Sequence, residues 1–136
     1  MKEQLKIIQT IHLALTLSVA IAYFFLTDIT SIDELFILPA INSSNIYIGI
    51  IPIVAYILSN ILFKKSISKI DKKLTIEENM GAYQTAALIR WAILEGAAFI
   101  IITNRPEFIL FGAVLILYLA LLRPTESNIT SHLKNL

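Results

Sequence analysis

The stretch Ile46–Phe63 reads IYIGIIPIVAYILSNILF, 18 residues without one charged side chain. As a helix rising 1.5 Å per residue it extends about 27 Å, close to the roughly 30 Å hydrocarbon core of a bilayer. Three further apolar runs flank it. Leu5–Leu26 holds 22 residues and only two ionisable ones, Lys6 and His12. Ala86–Thr103 is interrupted by Arg90 and Glu95, and Phe108–Leu122 is uniformly apolar over 15 residues. No run alternates at period two, so a membrane β-barrel is not expected. These runs predict an all-α, four-transmembrane-helix bundle with spans at about 5–26, 46–63, 86–103 and 106–122. No composition break or repeat divides the chain, so residues 1–136 read as one integral membrane domain.

Composition agrees. Of 136 residues, 57% are hydrophobic and 15% charged, with a mean hydropathy of +0.75. A soluble domain carries about a quarter charged residues, so an ordinary cytosolic enzyme domain, a disordered chain and a secreted disulfide scaffold are disfavoured. With no cysteine there is no disulfide framework, thiolate metal site or cysteine nucleophile. The first run reads as a retained span rather than a signal peptide. Its apolar stretch exceeds a signal core, and Thr27-Asp28-Ile29-Thr30 lacks a small-x-small cleavage site.

The basic residues orient the chain. Lys2 and Lys6 precede span one, Lys64, Lys65, Lys69, Lys72 and Lys73 separate spans two and three, and Arg123 and Lys134 follow span four. The other side has Arg105 alone, and Asp28–Asn45 carries three acids and no base. This positive-inside bias places both termini in the cytoplasm, a feature that the net charge of +1 conceals. The cytoplasmic loop 64–83 is basic, and within it Ile67, Ile70 and Leu74 share a helical face. Lys64–Lys73 is therefore expected to lie on anionic lipid headgroups, with the bilayer as partner and no nucleic acid.

Local signals mark the helix starts. Thr75-Ile76-Glu77-Glu78 fits a capping box, which begins the third helix in the cytoplasm. Asn104-Arg105-Pro106-Glu107 fits a start with Asn104 as cap and Pro106 at the first helical position. Helices three and four then form a tight antiparallel hairpin, in which Gly96 and Ala97 lie at the depth of Gly112 and Ala113, small residues that let backbones approach. Ser31-Ile32-Asp33-Glu34 matches a third capping box ahead of Pro39, a start for a short interfacial helix. Pro52 is expected to bend span two. Trp91, Tyr23, Phe24, Tyr47 and Tyr83 fall near the expected interfaces, where aromatic belts form.

Glu95 is the most informative single position, because a charged group at mid-span costs about 2.5–3.5 kcal/mol on insertion scales. One reading makes it a proton or cation site or a ligand anchor; the other makes it an interhelical hydrogen bond or ion pair that holds the packing. Arg90 lies five residues earlier, about 140° around the helix, so the two do not share a face. It either snorkels to cytoplasmic headgroups or points into the bundle. Depth counting puts His12, Tyr118 and Asn60 near its level, and Glu95, Arg90, His12, Tyr118 and Asn60 form the candidate intramembrane polar site. No phosphate loop, nucleophile elbow or metal-ligand motif occurs, so no cofactor, metal or catalytic residue is expected.

Arg90-Trp91-Ala92-Ile93-Leu94-Glu95-Gly96 with Leu122-Arg123-Pro124-Thr125 resembles uncharacterised small four-helix bacterial membrane proteins. The likeness covers only the second half of the chain and implies a bacterial inner-membrane location and no particular activity. Glu95-Gly96-Ala97-Ala98 also resembles the proton-carrying helix of rotary ATPase proteolipids, but that family adds a glycine-rich partner helix. This chain has four glycines and none in span one. Small multidrug exporters place their membrane glutamate in the first helix, where this chain has none. Two function classes follow. The first is a non-enzymatic membrane subunit or scaffold, packing as a homo-oligomer or in a larger complex. The alternative is a small proton-coupled or ion/solute transport protein using Glu95.

The orientation is directly testable, since the chain has no native cysteine. Ser43→Cys is expected to react with a membrane-impermeant maleimide in intact cells, and Lys72→Cys only after permeabilisation. The opposite pattern would reverse the topology.

Overall fold

The computed structural model describes residues 2–27 and 32–134. Five α-helices follow one another: α1 (Lys2–Leu26), α2 (Ile46–Ser68), α3 (Ile76–Asn104), α4 (Ile109–Leu121) and α5 (Glu126–Lys134), with 3₁₀ turns at Ile32–Phe36 and Pro106–Phe108. There is no strand among the described residues. Helices α1, α2 and α3 are long and apolar enough to cross a membrane. A fourth crossing is reached only by joining Pro106–Leu121 to Glu126–Leu133, two pieces bent by 82°.

The side-chain contacts give the helix directions. Along α1 and α3, His12 meets Trp91 and Tyr23 meets Ala98, so these helices run the same way. Helix α4 runs against both, with Leu119 beside His12 and Gly112 beside Tyr23. Helix α2 opposes α3, bringing Phe63 to Tyr83. The result is an up-down-up-down arrangement in which α3 packs on α1, α2, α4 and α5. Helix α3 is the core: eleven of its residues are buried, against four of α1. The outward faces of α1, α2 and α4 stay apolar and exposed, as at Leu17, Ile21, Ile53, Ile57 and Leu117.

Helix α3 starts as its capping box predicts. Thr75 Oγ1 accepts from the Glu78 backbone N–H at 3.2 Å, and the Thr75 N–H donates to Glu78 Oε2 at 2.7 Å. The connections are tighter than the sequence implies. Helix α2 continues through the first lysines to Ser68, so the expected loop 64–83 shrinks to the segment between Ser68 and Ile76. Ile67 and Ile70 turn into the core and Leu74 is exposed, so these three do not form a headgroup-facing stripe. At the other end Asn104 is not a cap. It closes α3, its Nδ2 donating to the Ile100 carbonyl at 2.8 Å, and Arg105 is the pivot before Pro106. Ser31 lies outside the described residues; the segment after it is a 3₁₀ helix over Ile32–Phe36. Pro52 sits inside α2, which continues through it without interruption. Tyr23, Tyr83 and Trp91 are core residues rather than members of a belt, whereas Phe24 and Tyr47 are exposed.

Helix α5 has no counterpart among the apolar runs, the last of which ends at Leu122. Pro124 lacks an N–H and ends the α4 ladder. Thr125 then accepts from the Asn128 N–H at 3.1 Å and starts a new helix. Ile129 and Leu133, one turn apart, are buried and hold α5 across the end of the bundle. Nine polar-rich residues carry too little apolar length to register as a membrane run, so tertiary packing decides this helix.

Of the small residues expected at the α3–α4 contact, Ala97 and Gly112 are buried and Ala113 half-buried. Gly96 is not a packing residue: a Cβ there would meet nothing within 4 Å. The close approach is at Gly112, and its partner is α1. A Cβ on Gly112 would fall inside the Tyr23 ring, whose hydroxyl donates to the Ala98 carbonyl. Gly112→Ala is therefore expected to destabilise the purified protein by about 1–3 kcal/mol through overpacking. Gly96→Ala should be neutral or stabilising by up to about 1 kcal/mol, from helix propensity. Reversible unfolding in mixed micelles measures both, and equal effects would contradict this account of the packing.

Candidate functional site

The five residues singled out from the sequence distribute around α3 by face. Trp91 and Glu95 face α1. His12 is buried, its Nε2 donating to the Leu119 carbonyl at 2.7 Å, which requires the proton on Nε2 because a carbonyl only accepts. Its ring meets Trp91 edge-on at 4.8 Å. Leu119 is in the last turn of α4, where its carbonyl accepts from the Leu122 N–H at 3.1 Å as well as from His12. Gln9 Nε2 reaches the same corner and donates to the Pro124 carbonyl at 2.9 Å. The two α1 side chains thus cap the end of α4.

Glu95 is half-buried in the α1–α3 seam, and Ser18 Oγ donates to its Oε1 at 3.2 Å. Ser18 itself is exposed, so the carboxylate sits at the outer edge of the seam rather than in a central chamber.

Arg90, Asn60 and Tyr118 lie on the α2 side. Asn60 Nδ2 donates to Tyr118 Oη at 3.0 Å, and the Tyr118 hydroxyl is 3.3 Å from Asn60 Oδ1, so α2 and α4 are tied by one polar pair. The Arg90 guanidinium stacks on Phe63, 4.4 Å from the ring centroid. Its Nε is buried without a hydrogen-bond partner. Asn60 and Arg90 line one cleft of about 500 Å³ with Lys64 and His132. The structure therefore brings Arg90, Asn60 and Tyr118 together and separates them from His12 and Glu95. The five do not converge on one chamber.

Sequence reasoning missed four residues that complete these clusters: Gln9, Ser18, Phe63 and His132. Ser18 and Phe63 carry no signal, since their partners lie on other helices. His132 was within reach, because Thr125 to Asn128 has cap spacing and Ile129 and Leu133 recur at one turn. Across the bundle, Lys6, Thr10 and Arg123 line a second cleft of about 450 Å³ with His12. Among the described residues no group of three or more His, Asp or Glu side chains is placed to hold a metal ion. Comparison with models of known protein families, with curated proteins and with solved structures finds no match.

The Asn60–Tyr118 pair is expected to be structural. In a double-mutant cycle with Asn60→Leu and Tyr118→Phe, a coupling of about 0.6 kcal/mol and no more than about 1.7 is expected, the range for interhelical hydrogen bonds in membrane proteins. Zero coupling would show that the pair contributes nothing to packing.

Proposed function

We propose that the chain is a multi-pass integral membrane protein of the cell or bacterial inner membrane, with four crossings and both termini cytoplasmic, acting as a non-enzymatic subunit or scaffold. The fourth crossing is short: Pro106–Leu121 as a helix spans about 24 Å, and α5, turned by 82°, lies along the cytoplasmic surface. The polar side chains of the bundle support the assembly reading. His12, Gln9, Tyr23, Asn60 and Tyr118 are all engaged in hydrogen bonds that close helix contacts.

One observation carries the subunit reading. Glu95 is at the middle of Ala86–Thr103, yet it opens at the surface of the α1–α3 seam beside exposed Ser18. A single copy would leave this carboxylate at the edge of hydrocarbon, whereas a helix of a second copy or a larger partner would cover it. The exposed position Ala14, one turn before Ser18 on α1, supplies the test. In membranes, Ala14→Cys is expected to cross-link into a discrete larger species, and Glu95→Ala in that background to reduce the product several-fold. Leu117→Cys, on the exposed face of α4, should give none. No cross-linking from residue 14 would remove the support for this reading.

The proton-coupled alternative rests on the same carboxylate. It expects carbodiimide to label Glu95 in membranes well above pH 7, with Glu95→Gln unlabelled. Absence of labelling between pH 5 and 9 would exclude an accessible protonated carboxyl and favour the assembly reading.

A further inference from the structure

Arg90 lies inside a proposed span, whereas Lys6 stands at the edge of one, and the surroundings of Arg90 leave it without an anion. Among the described residues no salt bridge is formed to it, its Nε is buried and unpartnered, and no carboxylate lines the cleft it faces. A guanidinium taken out of water at the edge of hydrocarbon is stable only with a charged partner or several acceptors. What lines the cleft is the reverse: Lys64 adds a second positive charge, Asn60 and Ser131 add polar groups, and His132 closes it from α5. Phe63 forms the floor, with the guanidinium carbon 4.4 Å over its ring centroid.

The cleft is built rather than incidental. It draws on α2, α3 and α5, and α5 supplies its wall only because Ile129 and Leu133 are buried. Its volume of about 500 Å³ exceeds that needed for one tetrahedral oxyanion and admits the glycerol or acyl stem of a larger ligand. It also lies where the apolar part of α2 ends at Phe63 and the lysines begin, which is headgroup level in the proposed orientation. Cationic clefts between helices on the cytoplasmic side suit anionic phosphate groups in charge and depth.

We infer that the cleft between α2, α3 and α5 binds an anionic phosphate group, with Arg90 and Lys64 as its charge partners. The group belongs either to a lipid headgroup or to free phosphate. The lipid source rests on the membrane reading above, and the free source does not.

The test uses the full-length chain in neutral detergent, with native mass spectrometry after adding phosphatidic acid, phosphatidylcholine or inorganic phosphate. One phosphatidic acid per chain is expected to be retained in preference to phosphatidylcholine. Arg90→Gln and Lys64→Gln should each weaken that retention about 5-fold, the order expected for one basic residue. Lys2→Gln, exposed at the start of α1 and outside the cleft, should leave it unchanged. Displacement of the lipid by millimolar inorganic phosphate identifies a site for the free ion as well; persistence identifies a headgroup site that needs its acyl stem. Either supports the inference. Equal retention of phosphatidylcholine, an equal loss in Lys2→Gln, or full retention in both cleft variants would overturn it. Lys64 is exposed, so Lys64→Gln decides the matter if Arg90→Gln does not fold. Failure of the membrane reading would appear separately, as release of the chain from cell membranes by alkaline carbonate.

Discussion

Three helices meet where the Tyr23 ring of α1 lies on Gly112 of α4 and its hydroxyl donates to the Ala98 carbonyl of α3. Two demands are met there together. A phenol buried among apolar helices needs an acceptor, and a carbonyl is available only where two backbones come close. The missing side chain of residue 112 provides that closeness. With α1, α3 and α4 joined at this level, the distance to the other end of the bundle is set by regular helix rise. His12, eleven residues earlier, then meets the final turn of α4 and the Trp91 ring. Helix α2 packs on the remaining side of α3 and is tied to α4 by Asn60 and Tyr118.

This arrangement divides the polar residues by angle. Arg90 and Glu95 are five positions apart on one helix, about 140° in rotation, so they serve different neighbours. The α1 side receives a carboxylate held by one serine hydroxyl, and the α2 side receives a guanidinium held by an aromatic face. Neither neutralises the other. Each is left facing outward with an unmet electrostatic need, which is the physical reason to look beyond the single chain for a second helix at Glu95 and an anion at Arg90.

The proposed cytoplasmic end is built from three helices. There α2 runs on past its apolar stretch, α3 begins with a reciprocal cap and α5 folds back across both. His132 of α5 meets the Phe63 ring edge-on at 5.2 Å and thereby walls the Arg90 cleft. The turn between α3 and α4 at the other end is pinned by Pro106 and by the Arg105–Glu107 ion pair at 2.7 Å.

Sequence alone determined what depends on local rules and on length. Apolar runs long enough to cross a membrane give three of the long helices, Thr75 to Glu78 gives the α3 start, and five-residue spacing separates Arg90 from Glu95. Each of these follows from helix geometry or from hydrogen bonds within four residues. Tertiary structure alone decided which small residue sits at a close approach. Gly96 and Gly112 are equivalent by depth, but only one lies under a tyrosine from a third helix. It also decided the existence of α5, because nine polar-rich residues become a helix only when Ile129 and Leu133 have a surface to bury against. The cleft at Arg90 belongs to the same class: its walls come from residues 60–64, 90 and 131–132, and no spacing rule connects segments that only folding brings together.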